Sequence, residues 1–110
     1  MLFLVIDKVK LQPVPDEQAL SAYKAAQRTF KMLKDLEKDG KVKARYAFAD
    51  ISGGMIILDV ENLEELYGTL ATLPTNPYVD REIHPLINID LMEEAVGMAM
   101  EKMKERVEKH

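Results

Sequence analysis

The chain is 110 residues long with a formal net charge of −4, a length that allows one domain around one core. It has no cysteine, which excludes disulfides, thiolate metal centres and cysteine nucleophiles, and no tryptophan among its 6% of aromatic residues. A net acidic charge counts against any mode that neutralises many phosphates, and so few aromatics leave little for a nucleic-acid stacking platform.

The run Met1–Ile6 is apolar but stops at Asp7 and Lys8. It is too short for a secretory signal, and no stretch reaches the roughly 20 apolar residues of a membrane span. It reads as the buried first strand of a cytoplasmic protein with no membrane partner. Residues 2–10 have strand composition and end at Gln12-Pro13-Val14-Pro15, a turn. Pro15 followed by Asp16 and Glu17 marks a helix start. Ala19, Tyr23, Ala26, Phe30 and Leu33, joined by Leu20 and Leu36, then recur as one apolar stripe expected to be buried. Gly40 stands where a helix end favours a left-handed residue.

Residues 42–50 and 54–60 flank Ile51-Ser52-Gly53-Gly54 and predict a hairpin whose glycines supply the turn. Asn62 and Glu65 have the form of a capping box. Leu63, Leu66, Tyr67, Leu70 and Leu73 make a second helical stripe, stopped by Pro74, and a fourth strand runs from about Tyr78 to Ile87. The order strand, helix, strand, strand, helix, strand predicts an α+β, ferredoxin-like βαββαβ domain over residues 1–89, with both helices on one face of the sheet. The other face would carry Leu2, Leu4, Ile6, Tyr46, Phe48, Met55 and Ile57, an apolar surface that predicts a homodimer joined sheet to sheet. Residues 90–110 predict an additional helix with the stripe Met92, Ala95, Val96, Ala99, Met103 and Val107. That helix can pack on its own subunit or reach across to another.

Asp59-Val60, Leu73-Pro74 and Pro77-Tyr78-Val79-Asp80-Arg81-Glu82-Ile83, with the opening Met-Leu-Phe-x-Val and Gly40, resemble the muconolactone isomerase group of dimeric α/β-barrel proteins. The resemblance spans residues 1–87. It implies sheet-to-sheet dimers, often assembled further, and cofactor-free proton transfer on a small lactone. It also implies a pocket whose polar members include a first-strand histidine and acidic and basic residues of the first helix. At those places this chain has Leu4 and the segment Ala25-Ala26-Gln27-Arg28-Thr29, which holds no carboxylate; Lys24, Arg28 and Lys31 are the cations there.

Shifting a double bond beside a lactone carbonyl needs a base for a carbon-bound proton, an acid to return it, and a donor or cation near the enolate oxygen. Asp80, Glu82 and His84 alternate along the fourth strand and so share one face. His84 is the candidate base and Glu82 its orienting partner, with Tyr23 or Tyr46 as hydroxyl donor. Phe48, Asp80, Lys24 and Arg28 are candidate ligand contacts. The same row also fits a polar sheet edge, or acids paired with Arg45 or Arg81 at the dimer interface. No metal or cofactor is expected. Lys41, Lys43 and Arg45 share a strand face by alternation and read as solvated charge. Two functions fit these residues. One is an isomerase-like enzyme binding a small, partly apolar molecule, and the other is a non-catalytic oligomeric module that binds a small ligand or serves in assembly.

Overall fold

The computed structural model describes residues 1–10 and 12–109; His110 lies outside the described residues. The elements are β1 (Leu2–Val9), α1 (Asp16–Lys38), β2 (Val42–Ala47), β3 (Gly53–Asp59), α2 (Leu63–Ala71), a short 3-10 turn (Asn76–Tyr78), β4 (Val79–Leu86) and α3 (Ile89–Glu108). The four strands lie in the order β2-β3-β1-β4, every neighbouring pair antiparallel. β1 and β2 therefore run the same way with β3 between them, which is the arrangement that two helical crossovers on one face impose. The fold is the expected ferredoxin-like α+β unit, followed by a C-terminal helix.

Strand alternation divides the residues between two faces. Phe3 and Val5 of β1, Val42 of β2, and Ile56 and Leu58 of β3 point into the core, where they meet Leu66, Leu70 and Leu73. Leu4, Ile6, Met55, Ile57 and Tyr46 fall on the opposite, open face, as alternation required.

α1 is rotated from the phase its large apolar residues suggest. Its buried residues are Ala25 and Thr29, with Met32, Leu33 and Leu36 partly buried against the core. Tyr23 and Phe30 are 72% and 60% exposed, so the expected stripe through them is incorrect. Small inner residues let the helix lie close to the sheet, and that approach fixes its rotation more firmly than the burial of two rings would. The C-terminus closes as a Schellman motif: the Lys41 N–H donates to Leu36 O (2.9 Å) and the Gly40 N–H to Glu37 O (3.1 Å), with Gly40 at φ +78°.

The hairpin glycines also have a role other than the one expected. Gly53 and Gly54 are not the turn; they are the first residues of β3, flanked by β1 and β2. A Cβ on Gly53 would meet the Asp7 carbonyl oxygen, and one on Gly54 the Tyr46 carbonyl oxygen at 2.6 Å. They are close-approach residues in a central strand.

At the start of α2, Asn62 Oδ1 accepts the Glu65 N–H (2.8 Å), while Glu65 Oε2 accepts the Glu61 N–H (2.9 Å). The reciprocal capping bond thus lands one residue earlier than in the standard box. The other Glu65 oxygen lies 3.0 Å from Lys41 Nζ. The Glu61 N–H first, and the Lys41 ammonium next, hold the Glu65 carboxyl below its ordinary range, and Glu65 holds Lys41 above its own. A depressed carboxylate gives stability that is present above its unfolded pKa and lost as pH falls through the folded one. The raised lysine gives stability that is present below its unfolded pKa and lost as pH rises through the folded one. Glu65→Gln should therefore melt below wild type at neutral pH and converge with it in acid, followed as Tm against pH. A gap that persists undiminished in acid would contradict this linkage.

α3 buries none of its residues, and the molecule extends 69 Å along its longest axis against 34 and 24 Å on the others. Among the described residues, none packs over the apolar stripe of this helix.

Candidate functional site

β4 is an edge strand, and its even residues share the open face with β1: His84 lies beside Leu4, Glu82 beside Ile6 and Asp80 beside Lys8. His84 Nε2 is 3.5 Å from Glu82 Oε2, and the other Glu82 oxygen is 3.6 Å from Lys8 Nζ. Asp80 is 3.9 Å from Lys10 Nζ. All these side chains are solvent-accessible, beside the apolar residues of the open sheet face. Within the chain the row is not partnered by Arg81 or Arg45, which the sequence offered as partners across a dimer interface. Arg81 points to the helix side and grips Asp7 with two hydrogen bonds of 2.7 and 2.9 Å, while Arg45 pairs with Glu37 of α1 at 3.0 Å.

Lys8 is the residue that sequence reasoning overlooked. The period of two that puts Leu2, Leu4 and Ile6 on the open face continues to Lys8, and this was the available signal. The Lys41, Lys43 and Arg45 set, in contrast, does not share a face. A bulge between Val42 and Ala44 shifts the register, and the three cations pair separately with Glu65, Asp59 and Glu37.

The other candidate residues lie elsewhere. Tyr46 is on the open face but on β2, the opposite edge, three strand spacings or about 14 Å from β4. It is 70% exposed. Phe48 follows the end of β2 and is half-buried. Tyr23 belongs to the helix layer across the sheet, so within one chain it cannot serve a substrate held by His84.

Lys24 and Arg28 come together at a second place. With Lys31, Ser21 and Tyr78 they line a cleft of about 560 Å³ between α1 and the segment from Pro74 to Tyr78. Thr29 Oγ1 donates to Thr75 Oγ1 at 3.3 Å and ties this segment to the helix. Among the described residues, none of the three cations has a carboxylate within ion-pairing distance, and neither an acid nor an imidazole lines the cleft. It can hold an anion, but its lining includes no proton-transfer pair.

A smaller, almost wholly apolar cleft of about 330 Å³ lies between α2 and β4, lined by Leu63, Leu66, Leu70 and Ile83 with Arg81 and Asn76 at its polar end. The Asn76 amide donates to Leu70 O (2.8 Å) at the end of α2, and its buried Oδ1 has no partner. His84, Tyr46 and Tyr23 line neither cleft. Among the described residues no cluster of three His, Asp or Glu has the geometry to hold a metal ion. Among them, too, no helix is long and apolar enough to cross a membrane.

The family model described as muconolactone delta-isomerase matches residues 1–89, which is the whole βαββαβ unit. The chain belongs to the muconolactone delta-isomerase family. A crystal structure of muconolactone isomerase superposes with a TM-score of 0.69 at 28% identity, covering 80% of this chain and 90% of that one. A 5-chloro-2-hydroxyhydroquinone dehydrochlorinase from Burkholderia phenoliruptrix AC1100, in complex with 2,5-dihydroxybenzoquinone, superposes at 0.59 with 17% identity. It covers 80% of this chain and 95% of its own, and the likeness is one of fold. A comparison with curated proteins gave no match. The muconolactone delta-isomerase match stops where α3 begins, so the clefts and the β4 row lie inside the family unit and α3 outside it.

Proposed function

We propose that the chain is a cofactor-free, proton-transferring enzyme of the muconolactone isomerase type, acting on a small, partly apolar molecule at the open sheet face. The observation that carries this reading is the His84–Glu82–Lys8 cluster at 3.5 and 3.6 Å, set beside Leu4 and Ile6 on a face able to hold an apolar substrate. His84 takes the carbon-bound proton next to the carbonyl and returns it at the far carbon, since imidazole can act as both base and acid. Glu82 orients the ring, and the Lys8 ammonium neutralises charge developing on the enolate oxygen. A second copy laid sheet to sheet would roof this face, exclude water from it and bring its own Tyr46 within reach as the hydroxyl donor. The chain's cytoplasmic location is part of the same proposal.

A second reading is favoured by the basic cleft. Lys24, Arg28 and Lys31 without counter-ions beside Tyr78, but with no acid or base in the lining, suit a module that binds an anion without transforming it. Melting temperature and turnover with added muconolactone separate the two. On the enzymatic reading, His84→Ala and Glu82→Gln lose turnover, while Lys24→Ala with Arg28→Ala keeps it. The binding-module reading expects no turnover in wild type and a ligand-dependent rise in Tm that only the Lys24/Arg28 variant abolishes. Turnover that is unchanged in both His84→Ala and Glu82→Gln would remove the sheet-face site.

A further inference from the structure

α3 is a 20-residue amphipathic helix with nothing among the described residues to cover it. Ile89, Met92, Val96, Met100, Met103 and Val107 follow steps of three and four and form one stripe, each residue 52–74% exposed. In proteins most helical stability comes from packing an amphipathic face rather than from propensity, so a stripe of this kind calls for another apolar surface to meet it. Apart from its first residue, Ile89, the helix also lies beyond the family unit.

The charges along α3 indicate what meets it. Residues 89–98 carry Asp90, Glu93 and Glu94 and no base, whereas residues 99–109 carry Lys102, Lys104, Arg106 and Lys109 against Glu101, Glu105 and Glu108. A parallel pair of such helices would set the wholly acidic halves against each other. An antiparallel pair sets each acidic half against the basic half of its partner and opposes the two helix dipoles favourably.

We propose that α3 pairs antiparallel with α3 of a second copy of this chain. Centring the pair near Met98 places Ile89 opposite Val107, Met92 opposite Met103 and Val96 opposite Met100. On the helical wheel Glu93 and Lys104 lie 20° apart on one flank of the stripe, so the same alignment sets Glu93 of each copy beside Lys104 of the other. The stripe is thus complementary to its own reversal, residue by residue. The pairing needs nothing from the sheet face, and the two contacts can be tested separately.

Because the chain has no cysteine, the full chain carrying Ile89→Cys and Val107→Cys gives a clean cross-linking readout. Mild oxidation at micromolar concentration should yield a covalent dimer in which the peptide containing position 89 is joined to the one containing position 107. Adding Val96→Glu and Met103→Glu should abolish that dimer. Glu93→Lys should lower its yield several-fold, and adding Lys104→Glu should restore it. Links of 89 to 89 and 107 to 107, or cross-linking that survives Val96→Glu with Met103→Glu, would overturn the proposal, as would the absence of a covalent dimer. Leu4→Glu, directed at the sheet face, should leave the 89-to-107 link intact, so failure of the sheet-face dimer is read independently.

Discussion

Replacing Leu58 by alanine should lower the unfolding free energy by about 3–5 kcal/mol, which makes it the most damaging single truncation in the core. Leu58 is fully buried at 0% exposure on β3, with Phe3 beside it on one flank and Val42 on the other. Both neighbouring strands and the α2 leucines close around it, leaving little room for the site to collapse into the lost volume. A domain of this size has about 5–15 kcal/mol in all, so the variant should still fold but with a greatly lowered urea midpoint. A loss below about 1 kcal/mol would mean that this residue is not at the centre of the core.

Gly53→Ala should cost a comparable amount, about 3 kcal/mol or more, through a different mechanism. At φ +145° the position suits glycine alone, and the new methyl would be driven into the Asp7 carbonyl of the neighbouring strand. The obstacle is backbone, so no side chain can swing aside. Relief would have to come from separating β3 from β1 near Asp7, the residue whose carboxylate holds Arg81. Gly40→Ala is the matched control: its φ is +78°, but a Cβ there meets nothing within 4 Å. It should cost only about 1 kcal/mol of backbone strain. Thermal melts of the two variants, run side by side, check the contrast. Equal losses would show that backbone conformation, and not the contact with Asp7, sets the cost.

The strands were the most legible part of the fold because alternation ties every side chain to a face. Leu4, Ile57 and His84 share the open face for no reason beyond the parity of their positions in paired strands. The first helix was less legible. Its pattern offers two apolar sides, and the one with the larger residues, through Tyr23 and Phe30, is the side that faces out. Ala25 and Thr29 face in because a close helix–sheet approach rewards small residues, and hydrophobicity along the sequence does not register that distance. The hairpin glycines were misassigned for a related reason: a glycine in a turn and one pressed between two strands look alike until the register is known.

The candidate site divides in the same way. The β4 row could be read directly, and Lys8 could have been found by extending β1 by one more alternation. The cleft between α1 and Pro74–Tyr78 could not be read, since it depends on where a loop returns in space. Sequence spacing placed Lys24 and Arg28 on neighbouring turns but could not supply Tyr78 opposite them. Nor could it show that Tyr46 and His84 stand on opposite edges of the sheet, a separation that makes a second copy necessary if both are to touch one substrate.

The central claim, proton transfer by His84 at the open sheet face, is tested most directly by deuterium uptake from D2O into the carbon skeleton of muconolactone. Wild type, His84→Gln and Lys24→Ala with Arg28→Ala are followed by mass spectrometry. Wild-type and Lys24/Arg28-variant protein should catalyse uptake together with isomerisation, and His84→Gln should slow both by about 10²–10⁴-fold, the usual contribution of a general base. Undiminished uptake in His84→Gln would contradict the account.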